Sequence, residues 1–587
     1  MIYQGKTKYI IIFSFITFSY NLINNNPIIV NEKVYQQSQE YIKPPEFSNN
    51  SGFYPDNFKL KIFSEENTTI YYTTDSTDPK YSPTSKKYKD YILIYDRSSE
   101  ENIYSSINST DDSPTISVGY NYFGPMYPID KSMIIKAVSK NEKGEFSEII
   151  SKTYFITNDV LSQYKDMTVI SIVTNPENFF DPKIGIYVTG TMYQNWINSE
   201  EYDPLVRPWD KDLITNYNMK GKDWEREVCV TIFDKGKIIV EQNMGIRIKG
   251  VATRNNPAKS FNLYARKKYG KSSIEADLFK DNYDINGNLI TRYKSLSLRA
   301  VEEAGRIKKI FGKDLFYSRK GLTSANMRFS VLFLNGEYWG VYIIQEKISK
   351  YFFENKYLIS KENVSFIKEN QVEEGGDKEL ENFKSFCDEY TEKELNNEKV
   401  YEEIKKYIDI DSMVELFATG IYISNMDWPA KNDGEWRYTE EQEKKNEFTD
   451  GKWRFVIFDL DYSMGAKYYG TGSPGIDNFN YANRRNIEMP VNLFFALLKK
   501  NKNFQNKFIN VYCDYANEVY NIDKVTQLVE KYKEEYIEMI TNSELRWWGY
   551  IYDTKLEGYS ECKLNYLKVL DSLIDFFQQR PNFNLII

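Results

Sequence analysis

From about Lys43 to Thr157 the apolar residues come in short runs, FKLKIFS, TIYYTT, YILIYD and MIIKAVS, separated by Ser, Asn, Asp, Gly and Pro. Runs of this length and spacing predict an all-β sandwich. A second β-rich stretch opens near Met167 with the buried-strand run Val169 to Val173. It continues through VCVTIFDKGKIIVEQNMGIRIKG, with a turn at DKGK, and through the strand SFNLYAR. MRFSVLFLNGEYWGVYIIQEKI then predicts a hairpin about its LNGEYWG turn, and the β pattern lasts to about Glu346. From about Lys378 the apolar spacing changes to three- and four-residue steps, the period of a helix. DSMVELFATGIYISN predicts a helix with Asp411 as N-cap and Met413, Val414, Phe417, Ile421 and Tyr422 on its buried face. GKWRFVIFDLD returns to a strand pattern, and the chain from Pro490 to about Gln579 is again helical. No repeat period runs through it.

At the N-terminus, Lys6 and Lys8 precede an apolar run from Tyr9 to about Tyr20. That is the layout of an export signal, or of an uncleaved N-terminal anchor, over residues 1–25, with a linker over 26–42. The run is short for a membrane span. A chain of 587 residues exceeds a single core and predicts two or three domains. The net charge of −8 and the absence of any long basic run argue against nucleic acid as a partner. Cys229, Cys387, Cys513 and Cys562 form no CxxC pair, so neither a zinc cluster nor a disulfide framework is indicated.

The chain contains no histidine. That excludes Ser-His-Asp triads, His-Cys pairs, histidine zinc sites and imidazole bases. Catalysis must run on carboxylates, Lys, Arg, hydroxyls or a bound metal. Two acidic segments about thirty residues apart offer such chemistry: SNMDWPAKND, with Asn425, Asp427 and Asn432, and KWRFVIFDLDYSMG, with Trp453, Asp459 and Asp461. An Asp followed five residues later by an Asn, then a hydrophobic strand ending in Asp, is the base-and-metal layout of phosphoryl transfer. Oxygen ligands of this kind suit Mg²⁺, which takes one or two carboxylates and leaves room for phosphates. Asp427 is positioned to accept or orient a hydroxyl proton. Asn432 and Asp459 are candidate metal ligands, and Asp461 joins them only if the strand breaks, since alternate residues point to opposite faces. No GxGxxG lies ahead of the candidate lysine, Lys259, and no GxxxxGK[ST] occurs, so this is neither an ordinary protein kinase nor a P-loop enzyme.

Five blocks in order resemble the CotH kinase family of atypical secreted protein kinases: VISIVTNPENFFDPKIGIYV, GIRIKGVATRNNPAKSFNLYAR, LNGEYWGVYIIQEKI, NMDWPAKNDGEWRY and KWRFVIFDLDYSMG. The resemblance implies an α+β, two-lobed kinase-like domain over about 167–480, with its helical C-terminal part over 481–587. It implies ATP- and Mg²⁺- or Mn²⁺-dependent phosphorylation of Ser or Thr on spore-coat or cell-surface proteins by an exported enzyme. By the same resemblance Lys259 is the phosphate-contacting lysine, assisted by Arg254 and fixed by Glu346, while Tyr342 and Trp453 are stacking surfaces for adenine. Lys431 stands where relatives often carry a second amide, and TEEQEKKNEF is a charged surface excursion. The stretch 43–157 resembles the immunoglobulin-like sandwich found at the C-terminus of chitobiases, which implies a spacer or a site for cell-wall polysaccharide. The competing reading is a catalytically silent surface adhesin or coat-assembly scaffold on the same fold, its sandwich gripping polysaccharide or a partner protein. A glycoside hydrolase using paired carboxylates ranks last.

Overall fold

A computed structural model of the protein describes residues 41–110, 124–157, 161–207, 210, 212–317, 319, 321–429, 431–440, 446–465, 473–477, 479 and 490–583. The expected leader and nearly all of the linker lie outside the described residues, as does the middle of the TEEQEKKNEF excursion. Among the described residues no helix is long and apolar enough to cross a membrane.

Residues Gly52–Tyr54, Ile150–Ile156, Met133–Asn141, Thr68–Thr73 and Lys86–Lys87 form a five-stranded sheet in that order. Two small sheets oppose it, one pairing Glu46–Phe47 with Ile62–Phe63 and the other Phe58–Leu60 with Ile92–Ile94. Leu60, Ile62, Ile70, Ile94, Met133, Ile135 and Tyr154 fill the space between. The central strand is apolar on both phases because both its faces are covered. Met133 and Ile135 face the sandwich core, while Ile134 packs against the hairpin turn at Gly336.

The second β stretch closes into a barrel. Its seven strands run Thr168–Val173, Arg226–Asp234, Lys237–Lys249, Ser260–Tyr264, Ser295–Val301, Glu337–Glu346 and Met327–Leu334 around the axis, and the last pairs in parallel with the first. Period-two alternation sends Ile170, Val230, Ile246, Ile248, Phe261, Leu263, Leu296, Leu298 and Ile344 inward. The opposite phase is apolar where other elements cover it, at Val331, Phe333, Val341 and Ile343, and polar where it is open, at Arg247, Lys249, Asn262 and Arg299. The LNGEYWG hairpin forms as expected, with Asn335 and Gly336 at φ 49° and 88°, the left-handed pair that an Asn-Gly turn adopts at little cost.

The helical half comprises Asp377–Thr391, Glu398–Tyr407, Ile410–Tyr422, Val491–Lys500, Lys502–Asp514, Ile522–Trp548 and Lys555–Gln579. Ile522–Trp548 lies on the barrel: the Ser543 hydroxyl accepts from Val341 N and donates to Val301 O, and Trp547 Nε1 donates to Trp339 O. Gly340 permits this approach, since a Cβ there would sit 2.8 Å from the Trp547 indole nitrogen. Two expectations are corrected. The N-cap of Ile410–Tyr422 is Asp409, whose carboxylate accepts from Ser412 N at 3.0 Å, so Asp411 falls inside the first turn. The strand expected through GKWRFVIFDLD is only Arg454–Phe455; beyond it the chain leaves the sheet and Ile457 N bonds to Thr323 O.

The sandwich is welded to the barrel and is not a loose spacer. Phe155 stacks on Phe53 at 4.6 Å and meets Phe233 and Phe333 of the barrel edge-on at 5.8 and 4.9 Å. Thr153 and Ser171 share a buried hydroxyl hydrogen bond, and Lys152 pairs with Glu241 at 2.6 Å. Phe155→Ala is expected to cost about 3–5 kcal/mol. Calorimetry should show it lowering the melting temperature of one common transition; two transitions, with only the sandwich shifted, would contradict this continuity.

Candidate functional site

The helix Ile410–Tyr422 delivers the first acidic segment. Its C-terminal carbonyls at Ile421 and Tyr422 accept from the Arg580 guanidinium at 2.8 and 2.9 Å, which satisfies acceptors that a helix end leaves open. The loop beyond is laced to the second acidic segment. Asn425 Nδ2 donates to Asp459 O at 3.1 Å, Met426 N to Tyr462 O at 3.0 Å, and Met464 N to Ile423 O at 2.8 Å. Asp427 therefore stands beside the Asp459–Asp461 turn.

Because the strand ends early, Asp459 and Asp461 converge instead of diverging. Both are held by Arg299, at the polar phase of barrel strand Ser295–Val301: one guanidinium nitrogen pairs with Asp459 Oδ2 at 2.7 Å and the other with Asp461 Oδ2. Arg306 adds a 3.0 Å contact to Asp461 and reaches Glu302 and Glu303. Lys308 donates to the carbonyls of Ser463 and Met464, fastening the same turn. Burial works against an ionised Asp459, but Arg299 and Lys309 outweigh it and hold this carboxyl well below the usual range. Burial raises Asp461, reinforced by Asp459 and opposed by Arg299. Asp461 is 9% exposed, and its Oδ1 is buried with no hydrogen-bond partner.

Lys249 and Lys309 feel the charge of this carboxylate pair, and Lys368 acts on both lysines. Lys249 ends the strand Lys237–Lys249, Lys309 lies in the first turn of the helix Lys308–Phe316, and Lys368 ends the strand Val364–Lys368. Burial pushes Lys309 down to about 8, with Arg299 adding to the effect and Asp459 opposing it. Lys249 is pushed well down by burial and then by Lys309 and Arg299. Asn432, in the left-handed region at φ 59°, is half-buried. Its neighbour Asp433 is raised to about 6 by burial and by Glu369, with Lys368 opposing. Lys368 thus faces both acidic segments through Asp433 and Lys309.

The remaining expected residues lie elsewhere. Lys259 is fully buried, its ammonium donating to Arg254 O and Asn256 O and lying 4.0 Å from the Tyr217 ring centre. It does not pair with Glu346, whose carboxylate accepts from Asn282 Nδ2 and Asn326 N. Arg254 spends its guanidinium on the carbonyls of Tyr217, Met219, Ile248 and Gly250, so it fastens a loop and presents no fork to a phosphate. Lys259 reaches the acidic pair only in relay: Asn256 donates to Glu302, Glu302 pairs with Arg306, and Arg306 with Asp461. Tyr342 and Trp453 are core residues, Tyr342 stacked on Phe261 in the barrel and Trp453 on Phe383 among the helices, so neither offers a ring face to adenine.

Sequence reasoning missed Lys249, Arg299, Arg306, Lys309 and Lys368. The signal for two of them was present. In GIRIK and SLSLR, Ile246, Ile248, Leu296 and Leu298 take the inward phase, which leaves Lys249 and Arg299 on the outer face of a barrel wall. Which rung of that wall meets Asp459 depends on barrel register and helix docking, and no local pattern carries it. Among the described residues no group of three or more His, Cys, Asp or Glu is arranged as a metal cage.

Two outcomes test this electrostatic account. Arg299→Met leaves the enclosed Asp461 and the partly open Asp459 without their shared cation and should cost about 3 kcal/mol in urea unfolding; a loss under 1 kcal/mol would contradict the clamp. Glu544, on Ile522–Trp548, accepts from Ala304 N just ahead of Arg306, and burial raises it to about 7. A raised carboxyl favours folding while protonated, and that advantage is lost as pH rises through 7. Glu544→Gln should therefore match wild type near pH 4.5 and exceed it by up to about 3 kcal/mol at pH 8. A pH-independent difference would contradict the assignment.

Among curated proteins none matches the chain. The family described as Fn3 associated matches residues 60–154, within the sandwich, in keeping with the sandwich module expected ahead of the kinase-like domain. The family described as CotH kinase protein matches residues 246–583, more than half of the chain and all of the site from Lys249 to Arg580, and the protein belongs to that family.

Proposed function

We propose that the protein transfers the terminal phosphate of ATP to Ser or Thr hydroxyls of proteins in the spore coat or at the cell surface, where it arrives by export. The observation that carries this reading is the lacing of the two acidic segments, Asn425 to Asp459 and Met426 to Tyr462, which sets Asp427 beside a carboxylate pair and a cluster of cations. Asp427 serves the acceptor hydroxyl, orienting it and taking its proton as the bond to phosphorus forms. The lysines offset the negative charge of the phosphates, and the covered turn 459–464 limits water at the acceptor.

The donor set fits a hard divalent ion. Asp461 Oδ1 is a buried oxygen lacking any hydrogen-bond partner, Asp459 stands two residues away, and Mg²⁺ or Mn²⁺ needs only one or two carboxylates where phosphates supply the remaining oxygens. Asp459 and Asp461, with Asn432 on the facing loop, would hold that ion, and it would neutralise and orient the phosphates. One observation favours the second reading, a silent coat-assembly scaffold: Arg299 already neutralises both carboxylates without any ligand.

The two separate on labelled ATP. Under the kinase reading the wild type, with Mg²⁺ or Mn²⁺, labels Ser or Thr of coat or surface proteins. Asp427→Asn then lowers the rate by about 10²–10⁴-fold while nucleotide still raises the melting temperature. Equal labelling by the variant removes Asp427 from the mechanism, and no labelling by the wild type leaves the scaffold.

A further inference from the structure

We propose that Arg247, Arg266 and Lys268, held by Glu225 on the open wall of the barrel, form a docking surface for an acidic segment of a protein substrate. The proposal rests on the phosphotransfer reading only for the identity of that segment as part of the acceptor protein. The Glu225 side chain is 1% exposed, and three cations converge on it: Arg247 at 2.7 Å, Arg266 at 2.9 Å and Lys268 at 3.3 Å. The Tyr269 hydroxyl donates to it at 3.1 Å. Burial works against the ionised carboxyl, but Arg266 and Arg247 overcome it and hold Glu225 below its usual range. Three positive charges against one negative leave two in excess. That excess faces outward, since the Arg247, Arg266 and Lys268 side chains are 19%, 34% and 56% exposed.

The strands build this surface. Gly245 pairs with Tyr264 across the wall, and a Cβ at Gly245 would sit 2.6 Å from the Glu225 carboxylate, so only the bare glycine leaves that carboxylate its bed. Arg247 and Arg266 each stand two residues from this rung, on opposite sides of it because the strands are antiparallel. Their guanidiniums lie over the Tyr264 ring, 4.7 and 4.9 Å from its centre. Both turn Nε and Nη2 to Glu225, and among the described residues neither Nη1 has a hydrogen-bond partner. Guanidiniums fixed by a carboxylate behind and a ring between them are pre-organised to receive further carboxylates.

Position and charge select the occupant. Arg247 shares the outer face of its strand with Lys249, about 7 Å along it, so an extended chain lying over the candidate site crosses this surface within about two to six residues. The surface is short: Lys347, pushed down by burial, feels Glu373 and Glu374 as well as Arg247. A uniformly charged polymer runs on past the cations over a protein of net charge −8 and is repelled there. A few Asp or Glu residues in a polypeptide place carboxylates only where the cations stand.

Fluorescence anisotropy on the full chain tests this with labelled peptides carrying a central Ser and Thr, flanked on one side or the other by Glu and Asp, or by Gln and Asn. The wild type should bind an acidic peptide roughly 10-fold or more tightly than its uncharged counterpart, and less tightly as salt rises from about 0.05 to about 0.2 M. Arg266→Gln and Lys268→Gln should each weaken the acidic peptide by about 2- to 10-fold, and the double variant more than either. Both should melt close to the wild-type temperature, because Glu225 keeps Arg247 and Tyr269; the exposed Lys268→Glu stands in if Arg266→Gln fails to fold. Equal binding of acidic and uncharged peptides overturns the surface, as does unchanged affinity in the double variant. Tighter binding of polygalacturonate or of poly(U) RNA overturns the occupant. An acidic peptide held through these residues but never labelled from ATP keeps the surface and removes the kinase reading. Labelling of both peptides alike, with equal binding, keeps the kinase reading and removes the surface.

Discussion

The architecture turns on one guanidinium. Arg299 projects from the barrel wall and grips two carboxylates carried by the helical half, so the barrel and the helices are joined at the candidate site. Removing two carboxylates from water is expensive, and only a planar donor fork with matched geometry recovers that cost. Asp459 keeps part of its side chain, 28%, open to solvent, whereas Asp461 is enclosed and draws on Arg306 as well. The unequal pair is what leaves one oxygen of Asp461 without a partner. A site stitched across two halves in this way is complete only when both have folded and docked.

Much of this was legible in the sequence, and the parts that were not share a cause. Period-two alternation marked the barrel strands, and the Asn-Gly turn marked their hairpin, because both depend on neighbours within a few residues. Asp427, Asn432, Asp459 and Asp461 stood out as oxygen-bearing side chains in an ordered spacing. Lys259 and Tyr342 were read as ligand contacts but are interior, since a lysine in a loop and a tyrosine in a strand look alike whether they face a cleft or a core. Trp453 follows the same rule. Asp409 displaced Asp411 as the helix cap by two residues, within the usual uncertainty of helix ends. The cations failed to announce themselves because their meaning is collective: Lys249, Arg299, Lys309 and Lys368 are scattered along the chain and meet only through the fold.

The sandwich has a similar lesson. Its central strand reads as nearly continuous hydrophobic sequence, and the second buried face is the contact with the barrel. Phe155 belongs to one apolar cluster that runs from the sandwich through the barrel into the helices, so strain or partner binding at the sandwich acts on a body continuous with the site. A module attached by a flexible tether would leave the two independent.

The closure of the helix Ile410–Tyr422 by Arg580 spans 158 residues of sequence. Ribosomes release a protein from its amino end, so the acidic loop emerges long before the arginine that seals the helix above it. Until that arginine arrives, the carbonyls of Ile421 and Tyr422 lack their guanidinium donor, and the loop carrying Asp427 is anchored on one side alone. The acidic loop therefore acquires its full set of anchors late in synthesis, even in a nascent chain with its barrel already formed.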